Sequence, residues 1–134
     1  MNGLVIKVLP EVFSVCQLAS PTVACTAPYC FAAKTADEVS LVGPTKLGPP
    51  ETVRREDGWR AFFVDGTLDF SLVGILARIA EVLAREEIAI FAVSTYRTDY
   101  IFTKADVFDR ALSALAATGF AVIDQKEEAE CSVS

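Results

Sequence analysis

The order of secondary-structure patterns after residue 58 constrains the fold of this chain more than any other feature of its sequence. Two helical stripes, in which apolar residues recur every three or four positions, are flanked by short runs of strand-forming residues. The predicted strands are 59–64, 88–95, 98–103 and 120–123, and the predicted helices carry the stripes from Phe70 to Leu83 and from Val107 to Ala116. The second half of the chain is therefore predicted to run strand, helix, strand, strand, helix, strand.

Short polar signals mark the ends of these elements. Asp69 is placed to cap the first helix, and Thr103 with Asp106 resembles a capping box at the start of the second helix. Tyr96 and Arg97 lie between the two middle strands, which are predicted to form a hairpin. This βαββαβ order is that of the ferredoxin-like α+β fold, an antiparallel sheet with two helices on one face.

The first half of the chain is predicted to be mostly sheet, with strands at 4–9, 12–18, 31–35 and 39–42. Residues 44–58 hold three of the six prolines and a charged run, which predicts a connecting loop because proline fits neither a ladder nor a helix interior. No repeat between the halves is visible at the residue level. The predicted organisation is a strand-rich half with its linker at 1–57, a βαββαβ domain at 58–124 and a frayed acidic tail at 125–134.

Composition and charge exclude several classes of function. Twelve Lys and Arg against eighteen Asp and Glu give a formal charge of −6, the wrong sign for binding a phosphate backbone. The absence of histidine removes the usual general base and the commonest zinc ligand, and the four cysteines match no metal-binding spacing. We therefore expect no catalytic residue, no metal, no cofactor and no nucleic-acid partner. Without a membrane-spanning run or a signal-peptide pattern, we expect a cytoplasmic protein with free thiols.

Two segments hold more polar detail than packing requires. The first, 64–71, joins a strand to a helix, and Gly66 leaves backbone N–H groups open to a carboxylate near the helix N-terminus. The second, 93–101, is the hairpin end, where hydroxyls cluster with the carboxylate of Asp99. Each segment also has an ordinary structural explanation, because the glycine ends a strand, Asp69 caps a helix and the hydroxyls bond their own turn. Both explanations stay open from the residues alone.

The two segments together resemble the ACT domain proteins of the CASTOR-like branch, in which an ACT domain follows a degenerate, strand-rich ACT-like half. The stretches that carry the resemblance are Asp65-Gly66-x-Leu68-Asp69-Phe70-Ser71-x-x-Gly74-Ile75-Leu76-Ala77 and Ser94-Thr95-Tyr96-x-Thr98-Asp99-Tyr100-Ile101. The resemblance covers nearly the whole chain, from about Leu4 to Ile123. It implies a ligand-sensing module, most often for amino acids, that works in pairs with the ligand held at the interface.

The resemblance also implies which residues hold the ligand. The loop from Gly66 to Asp69 matches the one that meets the α-amino and α-carboxylate groups, and residues 92–96 match the strand end that forms the other wall. Asp99 matches the acidic residue that faces the ligand side chain, and a carboxylate there suits a cationic or hydroxyl-bearing ligand. The implied ligand-binding residues are Asp65, Gly66, Thr67, Leu68, Asp69, Ala92, Val93, Ser94, Thr95, Tyr96, Asp99 and Ile101.

We therefore expect a non-catalytic module that binds an amino acid and regulates a partner protein. The cytosolic arginine sensors of the family contain two such double units in one chain, and this sequence contains one, so a homodimer is expected. One rival hypothesis is an association module that recruits a partner protein without a small ligand. Another is a small enzyme that uses Asp65, Asp69 or Asp99 as acid or base, which ranks last because histidine and cofactor motifs are absent.

Overall fold

The structure is a computed structural model that describes residues 4–20, 27–48, 51–65 and 74–124. Within these ranges the chain forms eight strands, two α-helices and one short 3-10 helix. The strands are β1 (Val5–Val8), β2 (Phe13–Leu18), β3 (Phe31–Lys34), β4 (Val39–Pro44), β5 (Thr52–Asp65), β6 (Phe91–Ser94), β7 (Asp99–Lys104) and β8 (Ala121–Asp124). The α-helices are α1 (Ile75–Arg85) and α2 (Ala105–Ala117), and the 3-10 helix is Thr45–Leu47.

Residue contacts divide the chain into two compact units. One, the helical unit, contains the residues up to Pro10 and those from Arg60 onward, and the other, the strand unit, is Glu11–Trp59. This division differs from the predicted boundary between 1–57 and 58–124. The difference arises because β1 pairs with β5 and with β8, both of which the helical unit needs for its sheet.

The helical unit confirms the predicted βαββαβ order, which β5, α1, β6, β7, α2 and β8 follow along the chain. Its strands neighbour one another in the order β6, β7, β5, β1, β8. β1 is antiparallel to β5, with Ile6 opposite Val64, and parallel to β8, with Ile6 opposite Val122. An additional strand from the N-terminus therefore lies between two strands of the ferredoxin-like pattern.

The core of the helical unit lies between the sheet and the two helices. α1 is amphipathic, with Ile79 and Leu83 fully buried and Arg78 and Glu81 exposed on its other side. The buried core residues are Leu4, Ile6, Val8, Phe62, Val64, Ile75, Ile79, Val82, Leu83, Ile88, Ile101, Phe108, Ala111, Leu115 and Phe120. Neither described helix is long and apolar enough to cross a membrane.

The strand unit is antiparallel throughout its described residues, with its strands in the order β3, β4, β2, β5. Its small apolar cluster contains Cys16, Leu18 and Leu41. A polar network lies beside this cluster: the buried Ser14 hydroxyl donates to the Asp57 carboxylate, which also accepts from Arg55 Nε at 2.6 Å. The network ties β2 to β5 where the register between these two strands shifts.

The prediction of a loop over 44–58 was wrong for residues 52–58, which form the first part of β5. The charged run there, from Arg54 to Asp57, is exposed and pairs with β2, so solvent-facing side chains hid the strand pattern. Gly58 follows with φ of 85°, a left-handed conformation that glycine adopts without a steric penalty. Pro44 also lies in a strand, as the last residue of β4 opposite Phe13, so the loop prediction was wrong for this residue too.

The predicted helix caps need two corrections. Thr103 is not the N-cap of α2, because it is fully buried in β7 and Lys104 occupies the cap position without a side-chain hydrogen bond. α1 begins at Ile75 after Gly74, which has φ of 87°. The predicted start of that helix near Phe70 and the proposed cap Asp69 lie outside the described residues.

Cys16 in the strand unit is predicted to react slowly with thiol reagents. Burial raises the pKa of its thiol, and the nearby positive charge of Arg55 opposes that shift. A thiol whose pKa is higher in the folded state reduces folding stability as pH rises from the unfolded pKa to the folded pKa. We expect iodoacetamide to modify Cys16 at least about tenfold more slowly in native protein than in urea, with the half-buried Cys30 reacting faster. Peptide mapping by mass spectrometry measures both rates, and equal native and denatured rates at Cys16 would contradict the expectation.

Candidate functional site

One side-chain hydrogen bond joins the two sequence segments that were predicted to form a site. The Thr98 hydroxyl, at the end of the β6–β7 hairpin, donates to the Val64 carbonyl at 2.7 Å. Val64 precedes Asp65, the last residue of β5 and the first of the predicted ligand loop. The hairpin end and the start of that loop are therefore neighbours at one end of the helical unit's sheet.

Ser94 and Asp99 lie opposite each other in the last pair of the hairpin ladder. Because side chains alternate along a strand, Ser94 and Asp99 lie on the same face of the hairpin as the paired residues Ala92 and Ile101. Ile101 belongs to the core beneath α1 and α2, so this is the face of the sheet that the helices cover. The Asp99 side chain is half-buried, and among the described residues its carboxylate has no hydrogen bond or ion pair. The site thus presents a hydroxyl and a carboxylate side by side, and the carboxylate is partly shielded from water.

Asp65 does not join this pair. Its carboxylate Oδ2 lies 3.1 Å from Lys7 Nζ, and the side chains are 49% and 24% exposed. Val64 belongs to the core between sheet and helices, so alternation places Asp65 on the opposite face of β5. The carboxylates of Asp65 and Asp99 therefore emerge on different faces of the sheet, and Asp65 is already engaged by a lysine.

The other predicted residues that the structure describes divide into three groups. Ala92 and Tyr96 are exposed, Tyr96 almost completely at 98%, and Val93 is half-buried. Thr95 closes the turn, because its N–H and its hydroxyl both donate to the Thr98 carbonyl, at 2.9 and 3.0 Å. Ile101 is fully buried in the core of the helical unit.

Four of the predicted ligand residues lie outside the described residues. They are Gly66, Thr67, Leu68 and Asp69. The described part of the predicted site consists of the hairpin end and the last residues of β5.

Two residues with a direct part in this geometry were missed by the sequence analysis. Thr98 belongs to the stretch that carries the family resemblance, but no role was given to it. Its acceptor is a backbone carbonyl 34 residues away, and residue spacing carries no signal for such a bond. Lys7 was missed because its contact with Asp65 depends on the pairing of β1 with β5.

Two polar groups, a hydroxyl and a carboxylate, define the chemistry of the described site. A carboxylate beside a hydroxyl accepts hydrogen bonds from an ammonium, guanidinium or hydroxyl group. Within the described ranges no cluster of three or more acidic or cysteine side chains is arranged to hold a metal ion. The arrangement therefore suits a small polar ligand that donates hydrogen bonds.

Known families and solved structures that are similar to this chain have the same mixed α and β fold. Residues 54–117, from the first part of β5 to the end of α2, match the family model of the ACT domain. No curated protein is significantly similar in sequence to the chain. Among solved structures, protein Atu0741 from Agrobacterium tumefaciens is similar with a TM-score of 0.81 and 22% identity, over 92% of this chain and 95% of that one.

Two aspartate kinases are also similar, each over about a third of its own chain. The enzyme from Clostridium acetobutylicum, described as allosteric, has a TM-score of 0.59 and 14% identity, over 85% of this chain and 34% of its own. Escherichia coli aspartokinase III, in complex with aspartate and ADP, has a TM-score of 0.58 and 11% identity, over 87% and 34%. At these identities the likeness concerns the fold alone. Residues 54–117 thus match an ACT domain, and the solved structures extend the shared mixed α and β fold over most of the chain.

Proposed function

We propose that this chain is a non-catalytic regulatory module of the CASTOR-like kind, which binds an amino acid between the ACT domains of two copies. The observation that carries the proposal is the Asp99 carboxylate, which is half-buried and has no hydrogen bond or ion pair among the described residues. The match of residues 54–117 to the ACT domain supports a regulatory, ligand-binding role in general.

The state of Asp99 favours a ligand with a positive charge or a hydroxyl donor. A carboxylate that is partly removed from water loses hydration energy, and a hydrogen-bonded cation or donor offsets that loss. The Ser94 hydroxyl, directly opposite Asp99 in the hairpin, offers a second polar contact to the same cation or donor of the ligand. A ligand whose side chain is acidic or purely apolar would leave the charge of Asp99 uncompensated.

The exposure of the other hairpin residues supports a site that two copies complete. Ala92, Ser94 and Tyr96 are exposed, so this part of the hairpin is open to contact with a second copy. A second chain placed against this surface would supply the opposite wall and exclude water from the ligand. The proposed compartment is the cytoplasm. A regulated partner protein would respond to the ligand because the ligand-bound and ligand-free forms of this chain have different affinities for that partner.

The E. coli aspartokinase III structure, which shares this fold, is a complex with aspartate, an amino acid. We carry only the ligand class to this chain. Asp99 places an acidic group at the site, so the negatively charged side chain of aspartate itself is disfavoured by like-charge repulsion.

The proposal is tested by a thermal-shift screen of the purified protein against the twenty amino acids, with its mass measured by light scattering. A ligand at about 100 times its dissociation constant adds roughly 2.7 kcal/mol to stability, which raises the midpoint of a chain this size by roughly 8–10 °C. We expect cationic or hydroxyl-bearing amino acids to raise the thermal midpoint selectively. We expect light scattering to give the mass of a dimer. A flat screen, together with stable capture of a partner protein, would instead support the association module.

A further inference from the structure

The β6–β7 hairpin repeats the β3–β4 hairpin, sixty positions later in the sequence. In the first hairpin Phe31 lies opposite Val42 and Lys34 opposite Val39, and in the second Phe91 lies opposite Phe102 and Ser94 opposite Asp99. The register is the same at every pair. Three residues are kept at equivalent positions, namely Phe31 and Phe91, Ala32 and Ala92, and Thr35 and Thr95. This low identity explains why no repeat is visible in the sequence.

The two turns are closed by the same hydrogen bonds. In the first, the Thr35 N–H donates to the Glu38 carbonyl at 2.9 Å, and the Thr35 hydroxyl accepts from the Glu38 N–H at 3.1 Å. In the second, the Thr95 N–H donates to the Thr98 carbonyl at 2.9 Å, and the Thr95 hydroxyl accepts from the Thr98 N–H at 3.3 Å. In both hairpins the threonine at the first turn position therefore closes the turn.

The fourth turn position separates the two hairpins. In the first hairpin it is Glu38, whose carboxylate accepts from the nearby Ser40 hydroxyl. In the second it is Thr98, whose hydroxyl donates to the Val64 carbonyl at the end of β5. Because the first hairpin forms its turn with glutamate at this position, the Thr98 hydroxyl is not needed for the turn itself.

We infer that Thr98 is a positioning residue, whose bond to the Val64 carbonyl holds the Ser94–Asp99 pair against the point where β5 leads into the predicted ligand loop. The inference rests on the proposed function for its effect on binding. Asp99 of the second hairpin corresponds to Val39 of the first. The hairpin that has the carboxylate is therefore also the one that has the bond to Val64. Without the anchor, the turn stays closed and β7 stays paired with β5, but the end of the hairpin is free to move relative to Val64.

The test compares Thr98→Val, which removes the hydroxyl and keeps the side-chain shape, with Thr98→Ser, which keeps the donor. Thr118→Val is a matched control, because it also removes a hydroxyl that donates to a backbone carbonyl, that of Leu115 at 2.8 Å, at the end of α2. Hydrogen exchange without ligand is measured at the amides of 94–100 and 64–65. Affinity is measured by calorimetry with L-arginine, L-lysine and L-serine as cationic and hydroxyl-bearing probes.

We expect Thr98→Val to raise exchange several-fold in both segments and to weaken probe binding about tenfold, as the loss of one net hydrogen bond predicts. Thr98→Ser should restore both properties, and Thr118→Val should change neither. Wild-type exchange in Thr98→Val would overturn the anchoring role, and raised exchange with unchanged affinity would overturn its importance for binding. If the wild-type protein binds no probe, the proposed function fails, while the exchange measurement still decides whether Thr98 anchors the hairpin.

Discussion

Replacing Asp99 with Asn is expected to weaken binding of a cationic or hydroxyl-bearing amino acid by about ten- to a hundredfold. The estimate follows from the greater strength of hydrogen bonds to a charged group, which contribute about 1.5–3 kcal/mol each. The same change should leave the free energy of unfolding unchanged or slightly higher. The carboxylate is half-buried with no described partner, so replacing it with a neutral amide relieves a desolvation cost.

Weaker binding combined with undiminished folding stability identifies a binding residue. A purely structural carboxylate would lower stability when neutralised, whereas a recognition carboxylate lowers affinity and spares the fold. Calorimetric titration with L-arginine, L-lysine and L-serine measures the first quantity, and urea denaturation measures the second. Asp109→Asn, at an exposed position of α2, is the matched control and should change neither by much. Full affinity in Asp99→Asn would remove the main support for the proposed function.

Replacing Phe62 with Ala should cost about 3–5 kcal/mol of folding stability, the usual cost of removing a large buried aromatic side chain. Phe62 is fully buried on β5, and its ring centroid lies 6.3 Å from that of Phe108 on α2. The Phe108 ring is also covered by the guanidinium of Arg60, which lies 4.7 Å from its centroid. Urea denaturation followed by circular dichroism gives the free-energy difference.

Phe63 provides the control for that substitution. It is the next residue on β5 and faces the other side of the sheet, where its half-buried ring lies 5.4 Å from that of Tyr100. Phe63→Ala should therefore cost clearly less than Phe62→Ala, since less apolar surface returns to water. Equal costs for the two variants would mean that the core does not lie between the helices and the face of the sheet that contains Phe62.

The parts of the fold that sequence predicted are those encoded by short-range periodicity. Buried residues of α1 such as Ile79 and Leu83 recur at helical spacing, and the hairpin turn at Tyr96 and Arg97 separates two strand-like runs. The first part of β5 was missed because its residues 53–57 are exposed, so apolar alternation is absent there. Local pattern is informative only where one side of an element is buried.

The candidate site was predicted less completely because its geometry depends on long-range pairing. The resemblance pointed to Asp99 and Ser94, and the structure places these two side by side. It also placed Ile101 in the site, although alternation along β7 buries that residue in the core. The anchor from Thr98 to Val64 depends on the packing of β7 beside β5, and no local signal encodes it.

The order in which the helical unit is assembled from the chain has a consequence for its synthesis on the ribosome. β1 is made early, but its partners are β5 and β8, and β8 ends at Asp124. The whole strand unit, Glu11–Trp59, emerges before either partner is complete. Since translation adds about 5–20 residues per second, the apolar β1 waits several seconds for its neighbours. Released chains truncated before residue 120 should therefore expose β1 to chaperones, and those that include β8 should bury it.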